Sequence, residues 1–241
     1  MSQIFQRNDP AAFGKWLANS FGGKRRRFGS LRILAKMAIA AGAVAAGSCP
    51  ASAQISGDSS GLFNTGALEA DSSYLWLKTP NPFTFWAPNY HKNPLPYVFV
   101  TTTVTWSEPL VLPTGEGFLR GSWEGLVSGM ATAITDGPEH HWFGGAVGLR
   151  YNFVPKGSEK WTPFVDFRGG AGEIDASNVK YGQERDLTFT FLIGLGVRYN
   201  LNKGSSIILE TLTQHISNGW QTHPSEGVDL TGLAIGWRDR F

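Results

Sequence analysis

The stretch from Leu187 to Leu201 constrains the fold of this chain more than any other, because apolar residues occupy every second position in it. That apolar face comprises Leu187, Phe189, Phe191, Ile193, Leu195, Val197, Tyr199 and Leu201, and the alternate positions are rich in Thr and Gly. A period of two is typical of a β-strand, and this one would span about 50 Å at ~3.3 Å per residue. Strands of soluble sandwiches are usually about 3–10 residues long. The length therefore favours a tilted strand of a membrane β-barrel.

The same alternation elsewhere predicts an all-β chain with eight antiparallel strands that form a transmembrane barrel. The predicted strands are residues 73–79, 96–108, 117–133, 141–155, 161–173, 186–201, 205–217 and 228–241. The shorter predicted connections lie near 109–116, 156–160 and 202–204, and mostly longer ones alternate with them. Because outer-membrane barrels have short periplasmic turns and long outer loops, both termini should be periplasmic and residue 217 should lie near the outer rim.

The polar faces of the strands predict the interior of the barrel, since eight strands enclose a space that side chains just fill. Charges of both signs lie on these faces and should pair inside. The predicted interior residues are Arg120, Glu124, Arg150, Asp166, Arg168, Arg198, Glu210, Gln214 and Arg238. Leu212 and Ile216 share the face of Glu210 and Gln214, which makes this strand less regular. Residues 54–73 are rich in Ser, Gly and Asp and are expected to be a loose periplasmic start.

Composition agrees with a membrane protein and offers no sign of a nucleic-acid partner. Charged residues make up 17% of the chain, below the roughly 25% that is usual for soluble domains. The net charge is only +2, so no nucleic-acid partner is expected. No run of eighteen uncharged apolar residues occurs, and no helical span is therefore expected.

The N-terminal residues predict an export signal. The basic run 24–27 precedes the apolar segment Met37–Ala46, and Ala51-Ser-Ala53 forms an A-x-A cleavage site. We expect residues 1–53 to be a signal peptide and residues 54–241 to be the barrel domain. Cleavage after Ala53 would remove Cys49, the only cysteine, and leave a mature chain without disulfides. Two weaker interpretations are a twin-arginine signal at 25–28 and a lipoprotein site at 46–49.

Three residues near the C-terminus have the chemistry of an activated nucleophile. A histidine takes the proton of a serine hydroxyl, and an acid orients the imidazole. His215 and Ser217 are two residues apart, so on a strand they project from one face. If the last strand folds back so that 217 faces 227, Asp229 lies directly across from His215.

The parity of the strand places these three residues on the outer surface. Glu210 and Gln214 belong to the interior, which leaves His215, Ser217 and Asp229 facing lipid. Polar groups at a lipid surface are costly unless they bond to one another or take part in chemistry. A nucleophile in that position would reach an ester bond of a membrane lipid without extracting the lipid.

The motif His215-x-Ser217-Asn218, with an acid fourteen residues after the histidine, resembles the PagL family of outer-membrane lipid A deacylases and related acyloxyacyl hydrolases. The segments Gly117–Glu124, Gly148–Phe153 and Trp161–Val165 extend the resemblance, which covers roughly 95–241. The resemblance implies an enzyme of the bacterial outer membrane that binds lipopolysaccharide in the outer leaflet. It would hydrolyse the ester-linked 3-position acyl chain of lipid A, without a cofactor or metal.

In that resemblance Ser217 is the nucleophile, His215 the general base and Asp229 the orienting acid. A member of that family has Glu where this chain has Asp229, and Glu226 is an alternative acid. Backbone N–H groups around Gly219 would stabilise the tetrahedral intermediate. Two further residues complete the predicted support of the oxyanion, namely Asn218 from the motif and Ser225, which aligns with a family Asn.

Other interpretations of the sequence stay open. The first is a non-enzymatic outer-membrane barrel, an anchor or adhesin with a degenerate triad. The second is a soluble periplasmic barrel of the lipocalin type, whose apolar face would point inward. The pair His140-His141 is expected to be a solvated loop pair and not a metal site, because no further ligands have suitable spacing. His223 is likewise expected to lie in a loop.

Overall fold

The chain forms a closed β-barrel in which every strand is antiparallel to its two neighbours, and β8 pairs with β1. The computed structural model describes residues 65–78, 95–157, 160–176, 183, 186–219, 221 and 227–241. The strands are β1 (Ala67–Lys78), β2 (Val98–Thr114), β3 (Gly121–Asp136), β4 (His141–Phe153), β5 (Trp161–Ile174), β6 (Leu187–Asn200), β7 (Ser205–Ser217) and β8 (Val228–Arg240). The predicted eight-stranded barrel is confirmed. Among the described residues, no helix has the length and apolar character needed to cross a membrane.

The two ends of the barrel differ in their connections. One end carries the connections 115–120, 154–160 and 201–204, together with the start of β1 and the end of β8. We call it the turn end. The loop end carries the connections 79–97, 137–140, 175–186 and 218–227. At the turn end the side chain of Asn202 accepts hydrogen bonds from the backbone N–H groups of Gly204 and Ser205, at 2.8 and 2.7 Å. This local bonding explains the tight turn that the sequence predicts there.

The outer wall of the barrel is apolar. Large side chains on it remain exposed although they are hydrophobic, as for Val147, Leu195 and Ile235, each more than 60% exposed. A continuous apolar surface of this kind requires an apolar surrounding medium. This arrangement is the reverse of the soluble lipocalin-type barrel, whose apolar side chains would line the interior.

The interior next to the turn end is filled by a network of ion pairs. Arg150 binds Glu69 at 2.6 Å and Asp166 at 2.9 Å, and Arg238 binds Glu69 and both oxygens of Glu124. All five side chains are buried. Buried charges are tolerated when partners of opposite sign satisfy them, so this network accounts for the predicted charged interior.

The interior next to the loop end is mainly apolar, with a few hydrogen-bonded polar side chains such as Gln214 and Thr190. A single cluster of buried side chains fills it, with Leu75, Phe99, Trp142, Leu192 and Leu230 among its members. Leu212 and Ile216, the two residues that made β7 irregular in the sequence, belong to the same cluster. Their inward position is therefore required by packing and does not shift the strand register.

Several predicted boundaries were wrong. β2 continues to Thr114 instead of ending at 108, so most of the predicted connection 109–116 belongs to a strand. β1 begins at Ala67 and not at 73, because Glu69 and Asp71 project inward instead of forming a polar leader. Glu69 pairs with Arg150 and Arg238, and Asp71 lies in the field of Arg168. Residues 117–119 form a 3-10 turn, so β3 begins at Gly121. Arg120 was also wrongly placed inside the barrel; it lies in that turn and donates to the carbonyl of Val154 at 2.8 Å. The predicted signal peptide lies outside the described residues and stays a prediction.

Candidate active site

β7 carries the predicted His and Ser to the loop end of the barrel. Along this strand Glu210, Leu212, Gln214 and Ile216 are buried in the interior, and the alternate positions face outward. His215 and Ser217 occupy the last two outward positions, and Ser217 ends the strand. Both side chains therefore lie on the outer wall beside the loops, on the face that the sequence predicts.

The imidazole of His215 is held by the carboxylate of Asp229 on the adjacent strand. The two residues are directly opposed in the β7–β8 ladder, and His215 Nδ1 lies 2.7 Å from Asp229 Oδ1. The side chain of His215 is only 12% exposed and that of Asp229 only 5%. A close pair with so little solvent interacts more strongly than one in water. The predicted register of this hairpin is the observed one.

Aromatic side chains of β6 form the next part of the wall. Phe191 opposes His215 and Phe189 opposes Ser217 in the β6–β7 ladder. The Phe191 ring is roughly parallel to the imidazole, with centroids 6.4 Å apart. The sequence contains a signal for these neighbours, because a tight turn centred on residue 203 pairs 191 with 215.

A second cross-strand contact lies next to the His215–Asp229 pair, on its side nearer the middle of the barrel. Thr213 and Thr231, each two residues from a member of the pair, oppose one another and share a 2.8 Å hydroxyl–hydroxyl hydrogen bond. Cross-strand polar pairs of this kind stabilise the strand register. The hairpin is therefore fixed next to the site.

The backbone after Ser217 turns sharply at Gly219. Its φ angle is +62°, and a Cβ at this position would lie 2.7 Å from the ring of Phe189. The N–H of Gln221 donates to the carbonyl of Asn218 and closes the turn. Glycine is thus required for two separate reasons, a left-handed backbone and a close aromatic neighbour.

Gly219→Ala should reduce the stability of the turn by more than the roughly 1–2 kcal/mol that a left-handed backbone costs a non-glycine residue. Gly117→Ala is a matched control, because Gly117 has a φ of +60° but no atom within 4 Å of its would-be Cβ. Comparing the free energies of unfolding of the two variants isolates the contact with Phe189. Equal losses would mean that this contact is unimportant.

Asn218 is directed away from the outer wall. Its side chain is buried, and its Nδ2 donates to the backbone carbonyl of Gln183 at 3.0 Å. The structure therefore does not bring this amide together with the outward pair, and its observed role is to hold a loop. Ser225, Glu226 and His223 lie outside the described residues, so their predicted roles stay predictions.

The histidines at the β3–β4 connection bind a carboxylate. His140 is exposed, and its Nδ1 lies 2.8 Å from Asp175, which also accepts the backbone N–H groups of His140 and His141. Partial burial alone would raise the pKa of the Asp175 carboxyl, but these hydrogen bonds lower it below the usual range. Within the described ranges, no group of three or more His, Cys, Asp or Glu side chains has a metal-binding arrangement.

Comparisons with known proteins support the predicted family. A family model described as lipid A 3-O-deacylase (PagL) matches residues 97–238. The structure of the outer-membrane enzyme PagL is similar, with 16% identity over 69% of this chain and 97% of that one and a TM-score of 0.48. Neisserial surface protein A follows, with 10% identity, 73% and 97% coverage and a TM-score of 0.45.

The outer-membrane protein Ail of Yersinia pestis is a third similar structure, with 12% identity, 73% and 99% coverage and a TM-score of 0.32. No curated protein sequence matches the chain. The family model covers more than half of the sequence. The chain therefore belongs to the PagL family and is a protein of the bacterial outer membrane.

Proposed function

We propose that this protein is an esterase of the outer membrane that removes the 3-O-linked acyl chain from lipid A in lipopolysaccharide. Ser217 is the nucleophile, His215 the general base and Asp229 the residue that orients the base. The observation that carries the proposal is the 2.7 Å contact between His215 and Asp229 on the outward face of β7, two residues before Ser217.

The contact assigns the protons of the imidazole. An ionised carboxylate only accepts hydrogen bonds, so His215 Nδ1 carries a hydrogen that it donates to Asp229. Nε2 is then the unprotonated nitrogen and acts as the base. It removes the proton of the Ser217 hydroxyl while the Ser217 Oγ forms a bond to the carbonyl carbon of the lipid ester.

The tetrahedral intermediate then collapses with the proton that His215 has taken up. The bond between the carbonyl carbon and the sugar oxygen breaks, and Nε2–H protonates that oxygen to give the free 3-hydroxyl group. The acyl chain remains on Ser217 as an ester. Water, activated by the same nitrogen, releases it as a fatty acid and restores the serine. No step requires a cofactor.

The developing oxyanion needs hydrogen-bond donors next to Ser217. The exposed turn at Gly219 supplies backbone N–H groups there, and loss of one such donor typically slows an enzyme by about 10²–10³-fold. Asn218 acts indirectly in this scheme by holding the turn. We keep Ser225 as a further candidate donor and Glu226 as a candidate acid.

The outward position explains the choice of a lipid substrate. The nucleophile lies on an apolar wall, and Phe189 and Phe191 extend that wall beside it. A lipid whose acyl chains lie against this wall would present its ester at the height of the loop end. Because the loop end is opposite the start of β1 and the end of β8, it would face the outer leaflet, where lipopolysaccharide resides.

Ser217→Ala should abolish deacylation. Mass spectrometry of lipid A from cells that express the native protein should show the loss of one acyl chain, and the variant should leave the chain in place. Ser72→Ala, an exposed serine on β1, is a matched control and should keep full activity. Unchanged lipid A in cells that express the native protein would contradict the proposal and favour a non-enzymatic anchor or adhesin.

A further inference from the structure

The mechanism leaves one buried carboxylate at the loop end without a role. Glu139 lies in the short connection between β3 and β4 and is only 1% exposed. A buried carboxylate is costly unless donors satisfy both of its oxygens. Its partners therefore indicate what it holds in place.

The two oxygens of Glu139 bind two other connections of the loop end. The hydroxyl of Tyr97, the residue just before β2, donates to Oε2 at 2.8 Å. The backbone N–H of Gln183, in the connection between β5 and β6, donates to Oε1 at 2.8 Å. Glu139 thus joins three segments that are distant in sequence.

The chain of hydrogen bonds continues to the nucleophile. The carbonyl of Gln183 accepts the side-chain amide of Asn218 at 3.0 Å. Asn218 is buried and directly follows Ser217. Glu139 is therefore connected to Asn218, the residue after the nucleophile, through the backbone N–H and carbonyl groups of Gln183.

The connection that carries Glu139 is itself firmly held. Ile134 N–H donates to the carbonyl of His140 at 2.8 Å, and His140 N–H donates to Asp175 at 2.8 Å. Gly137 has a φ of +137°, and a Cβ there would lie 2.7 Å from the ring of Tyr97. The tyrosine is thus packed against the turn that presents its hydrogen-bond partner.

We propose that Glu139 is a positioning residue that fixes the backbone from Ser217 to Gly219 in the geometry needed for attack on the ester. The proposal rests on the proposed function. Glu139 does not touch the outward face, so its loss should leave substrate binding unchanged. A misplacement of about 1 Å at a reacting group can cost roughly 10²-fold in rate.

Two variants at this position separate a loss of hydrogen bonding from a loss of charge. Glu139→Ala removes both acceptors. Glu139→Gln keeps an oxygen for the N–H of Gln183, and its amide can donate to the Tyr97 oxygen. We expect Glu139→Ala to lower kcat about 100-fold with an unchanged KM, and Glu139→Gln to retain kcat within a few-fold.

Amide hydrogen exchange gives a readout that does not depend on activity. In the purified barrel, Glu139→Ala should speed exchange in residues 215–219, and Glu139→Gln should not. Native kcat and native exchange in Glu139→Ala would overturn the proposal. Faster exchange through all eight strands would also overturn it, since it would indicate a general structural role.

The same experiment distinguishes failure of the inference from failure of the proposed function. If the native barrel does not hydrolyse lipid A but Glu139→Ala still loosens residues 215–219 alone, the proposed function is wrong. The link between Glu139 and the segment after Ser217 would then stand without the esterase chemistry.

Discussion

Asp229→Asn should reduce the rate of lipid A deacylation by about 10⁴-fold, the size of effect seen when the orienting acid of a serine-histidine pair becomes an amide. An asparagine in this place can donate its amide hydrogen to His215 Nδ1. That would put the imidazole hydrogen on Nε2, which could then no longer accept the proton of Ser217. The variant changes one atom of the 2.7 Å contact and leaves the strand register unaltered.

The measurement is the release of fatty acid from lipopolysaccharide by purified variants in detergent or lipid. Asp229→Glu is the matched control, because it keeps a carboxylate and lengthens the side chain by only one methylene group. It should retain most of the activity. If Asp229→Asn were as active as the native protein, the acid would have to come from elsewhere, and Glu226 would become the first candidate.

Glu69→Ala should destabilise the barrel by about 3–5 kcal/mol, because removal of one partner leaves buried charge uncompensated. Glu69 binds both Arg150 and Arg238, and each of these side chains is almost completely buried. In the variant both guanidinium groups lose a charged partner. The loss should appear as a lower free energy of unfolding in urea with the barrel in lipid vesicles.

Glu116→Ala is the control for this variant, because Glu116 is an exposed residue of the turn end. Substitutions of that kind usually change stability by less than about 0.5 kcal/mol. Deacylation by any folded Glu69→Ala protein should be nearly native, since Glu69 lies inside the barrel away from the outer wall. Equal stability of the two variants would mean that the interior network contributes little.

The barrel could be predicted because lipid imposes a simple rule on its outer face. Every second residue of β6 must be apolar, and the rule holds from Leu187 to Tyr199. It fails to identify the first half of β1, where Glu69 and Asp71 look like loop residues to any local criterion. Their reason for lying in a strand is the arginines of β4, β5 and β8, whose proximity only the closed barrel reveals.

The outward half of the candidate site was predictable for a similar reason. In an antiparallel hairpin the numbers of paired residues have a constant sum, so one assumed pair fixes all the others. The assumed pair of 217 with 227 therefore placed His215 opposite Asp229, and the observed ladder has that register. The network behind the site was not predictable. Glu139, Gln183 and Asn218 come from three different connections, and no periodicity relates the positions of loops to one another.

The apolar cluster that fills the barrel beneath the loop end also restricts the supply of the second reactant. Trp142, Leu192 and Ile216 pack across the lumen at that level, whereas the candidate site lies on the outer wall. In the proposed mechanism, the molecule of water that cleaves the acyl-enzyme would therefore arrive from the sugar and phosphate region above the leaflet. The proposed hydrolysis would then depend on the hydration of the cell surface and not on the compartment below.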